Sequence, residues 1–330
     1  MNAVTARSRR LPQSSARSRR WTESRAGREA LALYLFISPW ALGLLLLTIV
    51  PVVLGILTSL TNYDGISPLN LVKFVGTANY VRASQDEDAW QAFGNVVLLS
   101  LWLVPIGIAV STALAALLNQ DVKGKGVFRT IYYLPTVFPI VAGATLWISI
   151  ADKNAGLLNA FLSIFRPGTA VNWLLQYTRV ILAMFMIWAG TGGGMIIMLA
   201  GLQGIPQELK DAARIDGANS WGAFRHVTLP LLTPVLFFQL IMSLIGTLQV
   251  YVQPLLLSAG SGVTVGSGLA GSPRRPVYMY LNHVMIQILA YQRFGYGTAL
   301  LWIMFVVLVL LTLVIFRTSR YWVYYEVEQA

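Results

Sequence analysis

The chain has 330 residues, 56% of them apolar and only 11% charged, with 24 Lys and Arg against 13 Asp and Glu for a net charge of +11. Soluble domains of this length could not hide so much apolar surface in their cores, so the composition is that of a membrane protein. Cysteine is absent, which excludes disulfides, thiolate metal sites and cysteine nucleophiles.

Eight of the basic residues lie between Arg7 and Arg28, in a Ser- and Arg-rich stretch with little to bury. Residues 1–29 therefore read as a disordered basic tail kept on the cytoplasmic side, not as a nucleic-acid-binding arm. Six charge-free stretches follow, each longer than the roughly 20 residues a helix needs to cross the hydrocarbon. They predict an all-α polytopic membrane protein with spans at about 31–60, 91–118, 131–150, 177–201, 232–257 and 295–316. Between the fourth and fifth spans lies an inner loop at 202–231, and residues 317–330 form a cytoplasmic tail. The first stretch is too long for a signal peptide and contains Pro39 and Pro51, so it remains as a kinked span. Glycines crowd 259–273, which reads as an outer loop, whereas 276–292, with Pro276, Asn282 and His283, reads as an interfacial segment and not a seventh span. Lys and Arg number 16 on the inner side of this arrangement and 8 on the outer. That places both termini in the cytoplasm, with most of the asymmetry supplied by the tail.

Catalytic constellations are missing. The sequence has no GxxxxGK[ST], HExxH or GxSxG. Its two histidines, His226 and His283, fall on opposite sides of the membrane, each expected at a surface. No span carries a carboxylate or lysine for a proton relay. The chain itself thus offers no catalytic residue, metal site or cofactor site.

The longest inner loop reads as two short helices. Pro206 suits a first helical turn, and Glu208 and Asp211 sit where a helix dipole favours negative charge. Leu209, Ala212, Ala213 and Asp216 recur at helical spacing to make a small, mostly apolar face. Gly217 permits a turn, Asn219 or Ser220 caps a second helix, and Pro230 and Pro234 open the fifth span. Such a knob is either an amphipathic connector on the bilayer or a docking surface for a cytoplasmic partner.

The pattern EL-x-DAA-x-x-DGA, followed by F-x-x-x-x-LP-x-L-x-P, resembles the EAA loop of permease subunits of binding-protein-dependent ABC importers, in its maltose-type sugar-permease form. KFVGTANY at 73–80 with Asn95, GVFRTIYYLPTVFP at 126–139, GLQGIPQEL at 201–209 and RFGYGTAL at 293–300 extend the resemblance over most of 31–316. The opening span and its YDG exit look like the first of the two paired permeases. The resemblance implies a type I importer permease fold at 30–316 in a prokaryotic inner membrane, forming half of a pore for a carbohydrate. It also implies a second permease, two cytoplasmic ATPase subunits that carry the ATP and magnesium and hydrolyse the nucleotide, and an extracytoplasmic solute-binding protein. Glu208, Leu209, Asp211, Ala212, Ala213, Asp216, Gly217, Ala218 and Phe224 would then dock on the ATPase. Asp211 stands where the family usually has Glu, and the loop at 258–275 departs from the family pattern. Arg274, Arg275 and Arg293 keep open a cargo such as glycerol phosphate; a membrane enzyme and a stand-alone channel are the readings from other classes.

A substrate path can be sought in spans four and five. Gln239, Ser243, Thr247 and Tyr251 form a polar stripe at four-residue steps, with Gln249 and Gln253 one face round. Trp188, Gly190 and Gly193, with Gly192 and Gly194 beside them, would let a ligand or a neighbouring backbone approach. Amides, hydroxyls and an aromatic face suit a sugar, while small and hydroxyl residues equally serve helix packing. In the sugar-permease family these two spans contribute substrate contacts, which favours Ser243 and Thr247.

Overall fold

The computed structural model describes residues 25–120, 123–260 and 275–324; the basic tail up to residue 24, most of the outer loop at 258–275 and the end of the C-terminal tail lie outside them. Among the described residues the chain is helical, with one isolated β-bridge between Thr61 and Phe74. Contacts divide it into residues 1–55 and 56–330. The described part of the first unit is helical: α1 (Arg25–Leu44) runs through a π-helical turn, Leu45–Ile49, into α2 (Val50–Ser59), whose last four residues count with the second unit.

In the second unit α3 (Ala78–Gln85) leads to α4 (Glu87–Leu118). The Asp86 carboxylate accepts from the Ala89 N–H to cap α4, and Glu87 and Asp88 complement its dipole. Next come α5 (Lys125–Val137), α6 (Ile140–Ile150), α7 (Leu157–Phe165) and α8 (Trp173–Gln176), then α9 (Thr178–Gln203). The inner loop forms α10 (Gln207–Ile215) and α11 (Ser220–Ala223), and α11 continues through a π turn into α12 (Leu229–Leu248). α13 (Val252–Gly260), α14 (Tyr280–Met285) and α15 (Phe294–Ser319) complete the chain. Among the described residues five helices are long and apolar enough to cross a membrane; α5 and α6, bent by 101° at their junction, make a sixth crossing if taken as one broken span.

Two spans differ from their sequence expectation, and proline explains both. The 131–150 span is not one rod: Pro139 has no N–H to give and forces Phe138 out of the helical region to ψ 133°. The 232–257 span stops at Leu248, because the ring of Pro254 would collide with the carbonyl of Val250 in a continuous helix. Tyr251 therefore lies off the helix and cannot extend the stripe of Gln239, Ser243 and Thr247. Residues 276–292 contain no helix long and apolar enough to cross a membrane, and Met279, Tyr280, His283 and Val284 within them are buried.

α9 is the central element, packed along α4, α5 and α12. Without a hydrophobic force between helices in lipid, such contacts depend on close approach. A Cβ on Gly192 would lie 2.5 Å from the Tyr132 carbonyl oxygen and 2.7 Å from Thr136 Oγ1; one on Gly194 would lie 2.6 Å from Ser111 Oγ. These two glycines let α5 and α4 touch the α9 backbone. The two larger lobes of the core lie along α9, one around Val96, Ile181, Phe185 and Leu248, the other around Ala115, Met195, Met198 and Leu232, and a small third cluster joins Ala92, Tyr278 and Ile286. Between the lobes lies the middle of the crossing.

Gly192→Ala is expected to destabilise the protein by about 1–3 kcal/mol through backbone displacement at α5, read as a lower midpoint in thermal unfolding of the purified protein in detergent. An unchanged midpoint would contradict the packing role.

Candidate translocation site and cytoplasmic knob

Two cavities flank α9 at its midpoint. The first, about 190 Å³, lies among α4, α9 and α12 and includes Ser111, Gly190, Thr191, Gln239, Ser243 and Thr247. The second, about 300 Å³, lies at the α5–α6 break and includes Thr136, Phe138, Trp188, Gly190 and Gln253. Gly190 belongs to both. Thr136 Oγ1 donates to the Ala189 carbonyl at 3.1 Å, tying the break to α9, and Phe138 meets Trp188 edge to face at 6.2 Å. Interrupted helix at membrane depth needs its freed backbone groups inside protein or against a water-filled space, and here it borders a cavity.

The sequence-predicted stripe divides at this point. Gln239, Ser243 and Thr247 share the first cavity, where Gln239 Nε2 lies 3.4 Å from Ser243 Oγ and Thr247 Oγ1 donates to the Ser243 carbonyl at 2.8 Å. The Gln239 carboxamide oxygen is buried and accepts no hydrogen bond. Gln249 is exposed at the end of α12, and Tyr251 serves through its carbonyl, which accepts from Asn282 Nδ2 at 3.0 Å; neither lines these cavities. A Cβ added at Gly193 would lie 3.7 Å from Thr136 Cγ2, an ordinary packing distance. Gln253, read one face round from the stripe, lines the second cavity, whereas Thr136 and Ser111 are cavity residues that the stripe and the glycine run did not point to.

The inner loop is a compact knob. α10 ends in a Schellman-type turn: the Ala218 N–H donates to the Ala213 carbonyl at 2.9 Å and the Gly217 N–H to Arg214 at 3.1 Å, with Gly217 at φ +84°. Asn219 Oδ1 accepts from the Gly222 N–H at 2.7 Å to cap α11. Glu208, Leu209, Asp211, Ala212, Asp216 and Gly217 face out, while Ala213, Ala218 and Phe224 are partly buried. Asp211 pairs with Arg214 at 3.1 Å. Phe224 stacks on Trp221, which is 66% exposed, and Ile215, missed by the motif, is 86% exposed. None of the described residues covers this apolar surface.

At the opposite end a buried polar network fixes residues 275–287. Asn95 Nδ2 donates to the carbonyls of Arg275 and Tyr278 at 2.8 and 3.1 Å, and its Oδ1 accepts from Arg179 at 2.9 Å. Arg275 pairs with Asp88 and reaches Gln91 Oε1 at 2.6 Å. His283, 2% exposed, lies 3.2 Å from Asp86 through Nε2 and 2.8 Å from the Tyr278 hydroxyl through Nδ1. These partners suit a neutral ring that donates to the carboxylate and accepts from the phenol. The surface location expected of His283 is corrected accordingly. Burial lowers the His283 pKa, and its attraction to Asp86 only partly offsets that. Burial pushes the Asp86 carboxyl up, but hydrogen bonds from Tyr296 and the Ala89 N–H, with the His283 contact, hold it below the usual carboxylate range.

Residues 104–323 match the family model for the inner membrane component of binding-protein-dependent transport systems. The lactose transport system permease protein LacF of Rhizobium radiobacter is 31% identical over 290 residues, covering 87% of this chain and 93% of the relative. The trehalose/maltose transport system permease protein MalF of Thermococcus litoralis is 31% identical over 296 residues, 89% of this chain and 95% of the relative. The fold is similar to that of a chain in the solved bacterial alginate ABC transporter in complex with an alginate pentasaccharide-bound periplasmic protein. The TM-score is 0.74 at 23% identity, covering 89% of this chain and 95% of that one.

The network has a pH signature. Because the folded pKa of His283 is depressed, the unfolded chain takes that proton first as pH falls below about 6.5, and stability declines over that window. Asp86, also depressed, contributes stability present above about pH 4 and lost as pH falls through its lower folded value. Thermal unfolding between pH 7.5 and 5 is expected to lose this slope in His283→Gln; an unaltered slope would mean another group is responsible.

Proposed function

The chain belongs to the family of inner membrane components of binding-protein-dependent transport systems, and from that membership we propose that it lines half of the pathway of an ATP-driven carbohydrate importer. The observation that carries the cargo class is the pair of cavities at mid-crossing. They bring hydroxyls, carboxamides and the Trp188 ring together, and neither is lined by Lys or Arg. Neutral hydroxylated cargo fits such a lining; a phosphate would need a cation there. Arg275 is committed to Asp88 and Gln91, and Arg293 contacts Gln287 and the Tyr291 ring, so neither is free for glycerol phosphate; Arg274 lies outside the described residues. The sugar-transporting relatives agree with this cargo class.

The knob supports the rest of the reading. On the orientation set by the basic tail, both termini and the knob are cytoplasmic. The His283 network faces outward, toward a solute-binding protein such as the alginate transporter holds. The first cavity, at about 190 Å³, is below the about 300–1,000 Å³ typical of a small-molecule site, in keeping with a pathway completed by a second permease. Exposed Leu209, Ile215 and Trp221 supply the apolar contact for an ATPase subunit, two copies of which would hold ATP and magnesium. Asp211 and Glu208 frame that contact with charge.

Gly217 separates docking from folding. Any side chain there carries the left-handed strain of roughly 1–2 kcal/mol, and a Cβ meets nothing of this chain within 4 Å. In the reconstituted complex Gly217→Leu is expected to lower coupled ATPase activity at least about tenfold more than Gly217→Ala, with membrane insertion unchanged; equal effects of the two would argue against a partner at this turn. Ser243→Ala with Thr247→Ala is expected to cut transport several-fold while the complex still assembles, and full transport would remove these two residues from the path.

A further inference from the structure

Three glycines border the first cavity, one from each of its walls: Gly107 on α4, Gly190 on α9 and Gly246 on α12. They differ from the packing glycines two and four residues along α9. A Cβ added at Gly107, Gly190 or Gly246 would meet nothing within 4 Å, whereas one at Gly192 or Gly194 would run into a neighbouring helix. Glycine in a helix interior is less favourable than alanine by about 0.8–1.0 kcal/mol. At these three positions no neighbour within the chain requires that sacrifice. The space they leave opens on a cavity whose polar wall includes Ser111, Thr191, Gln239, Ser243 and Thr247.

We propose that Gly107, Gly190 and Gly246 set the width of the pathway at mid-crossing and thereby the largest cargo cross-section that the importer passes. This rests on the cavity being part of the pathway. Selection by girth differs from recognition by Ser243, Thr247 and Gln239: those groups hold a hydroxylated molecule, while the glycines decide how bulky it can be. α4, α9 and α12 each contribute one position, so bulk added to any wall narrows the same opening.

The absence of cysteine from the chain provides a test that does not need the identity of the sugar. Gly190→Cys is placed in the full complex with cysteine-free partner subunits and treated with a small methanethiosulfonate, the ethylammonium reagent, and with a bulky one carrying a bulky aromatic group. The same is done in combination with Gly107→Ala and Gly246→Ala, then with Gly107→Leu and Gly246→Leu. The expected result is modification by the small reagent throughout. The bulky reagent should slow progressively from the glycine parent to the alanine and leucine variants, by at least about tenfold at leucine. Rates that stay parallel for the two reagents across the series would overturn the width assignment while leaving the pathway reading intact. Loss of the second permease on purification of the alanine variant would also overturn it, by showing that the glycines serve subunit packing. No modification of Gly190→Cys by either reagent in any nucleotide state would instead defeat the pathway reading beneath it.

Discussion

The contact on which the second unit depends is the close approach of α9 to its neighbours through Gly192 and Gly194. The Tyr132 carbonyl and the Ser111 hydroxyl occupy space that any side chain at these positions would claim. In lipid, where helices gain little from burying apolar groups against one another, such backbone proximity is what holds spans together. It also determines where the molecule is hollow. Tight contact at residues 192 and 194 on one side, and the core cluster around Ile181 and Phe185 on the other, leave the stretch of α9 at Gly190 between them clear, and both mid-crossing cavities meet there.

Broken helices follow from the same economy. Phe138–Pro139 interrupts one crossing and Gln249–Tyr251 ends another, and each break sits beside protein polar groups. Thr136 ties the first to α9, and Asn282 satisfies the Tyr251 carbonyl at the second. A lipid-facing break at either place would leave backbone groups without partners. The interruptions therefore mark positions where the chain borders something other than hydrocarbon.

Much of this was readable from residue order alone, because hydropathy and helical spacing are local. Spans two, four and six end within a few residues of their predicted limits. The three polar residues of α12 share one cavity as their four-residue spacing implied, and the Asn219 cap and Gly217 turn lie where the motif put them. Proline was visible at 135, 139 and 254, yet a hydropathy window averages across it, so the bends were missed. His283 was misjudged because its partner, Asp86, lies 197 positions away. Thr136 and Ser111 were hidden for the same reason: each becomes a cavity residue only when another span is laid against it.

The continuity of the helix from Ser220 to Leu248 has a mechanical consequence. No loop intervenes between Trp221 on the exposed knob and Ser243 in the cavity, so the segment acts as a lever arm of about 33 Å. A tilt of only about 5° over that length swings one end by about 3 Å, comparable to the width of a hydroxyl contact. Small angular play at the surface is thus amplified into the making or breaking of individual hydrogen bonds in the interior.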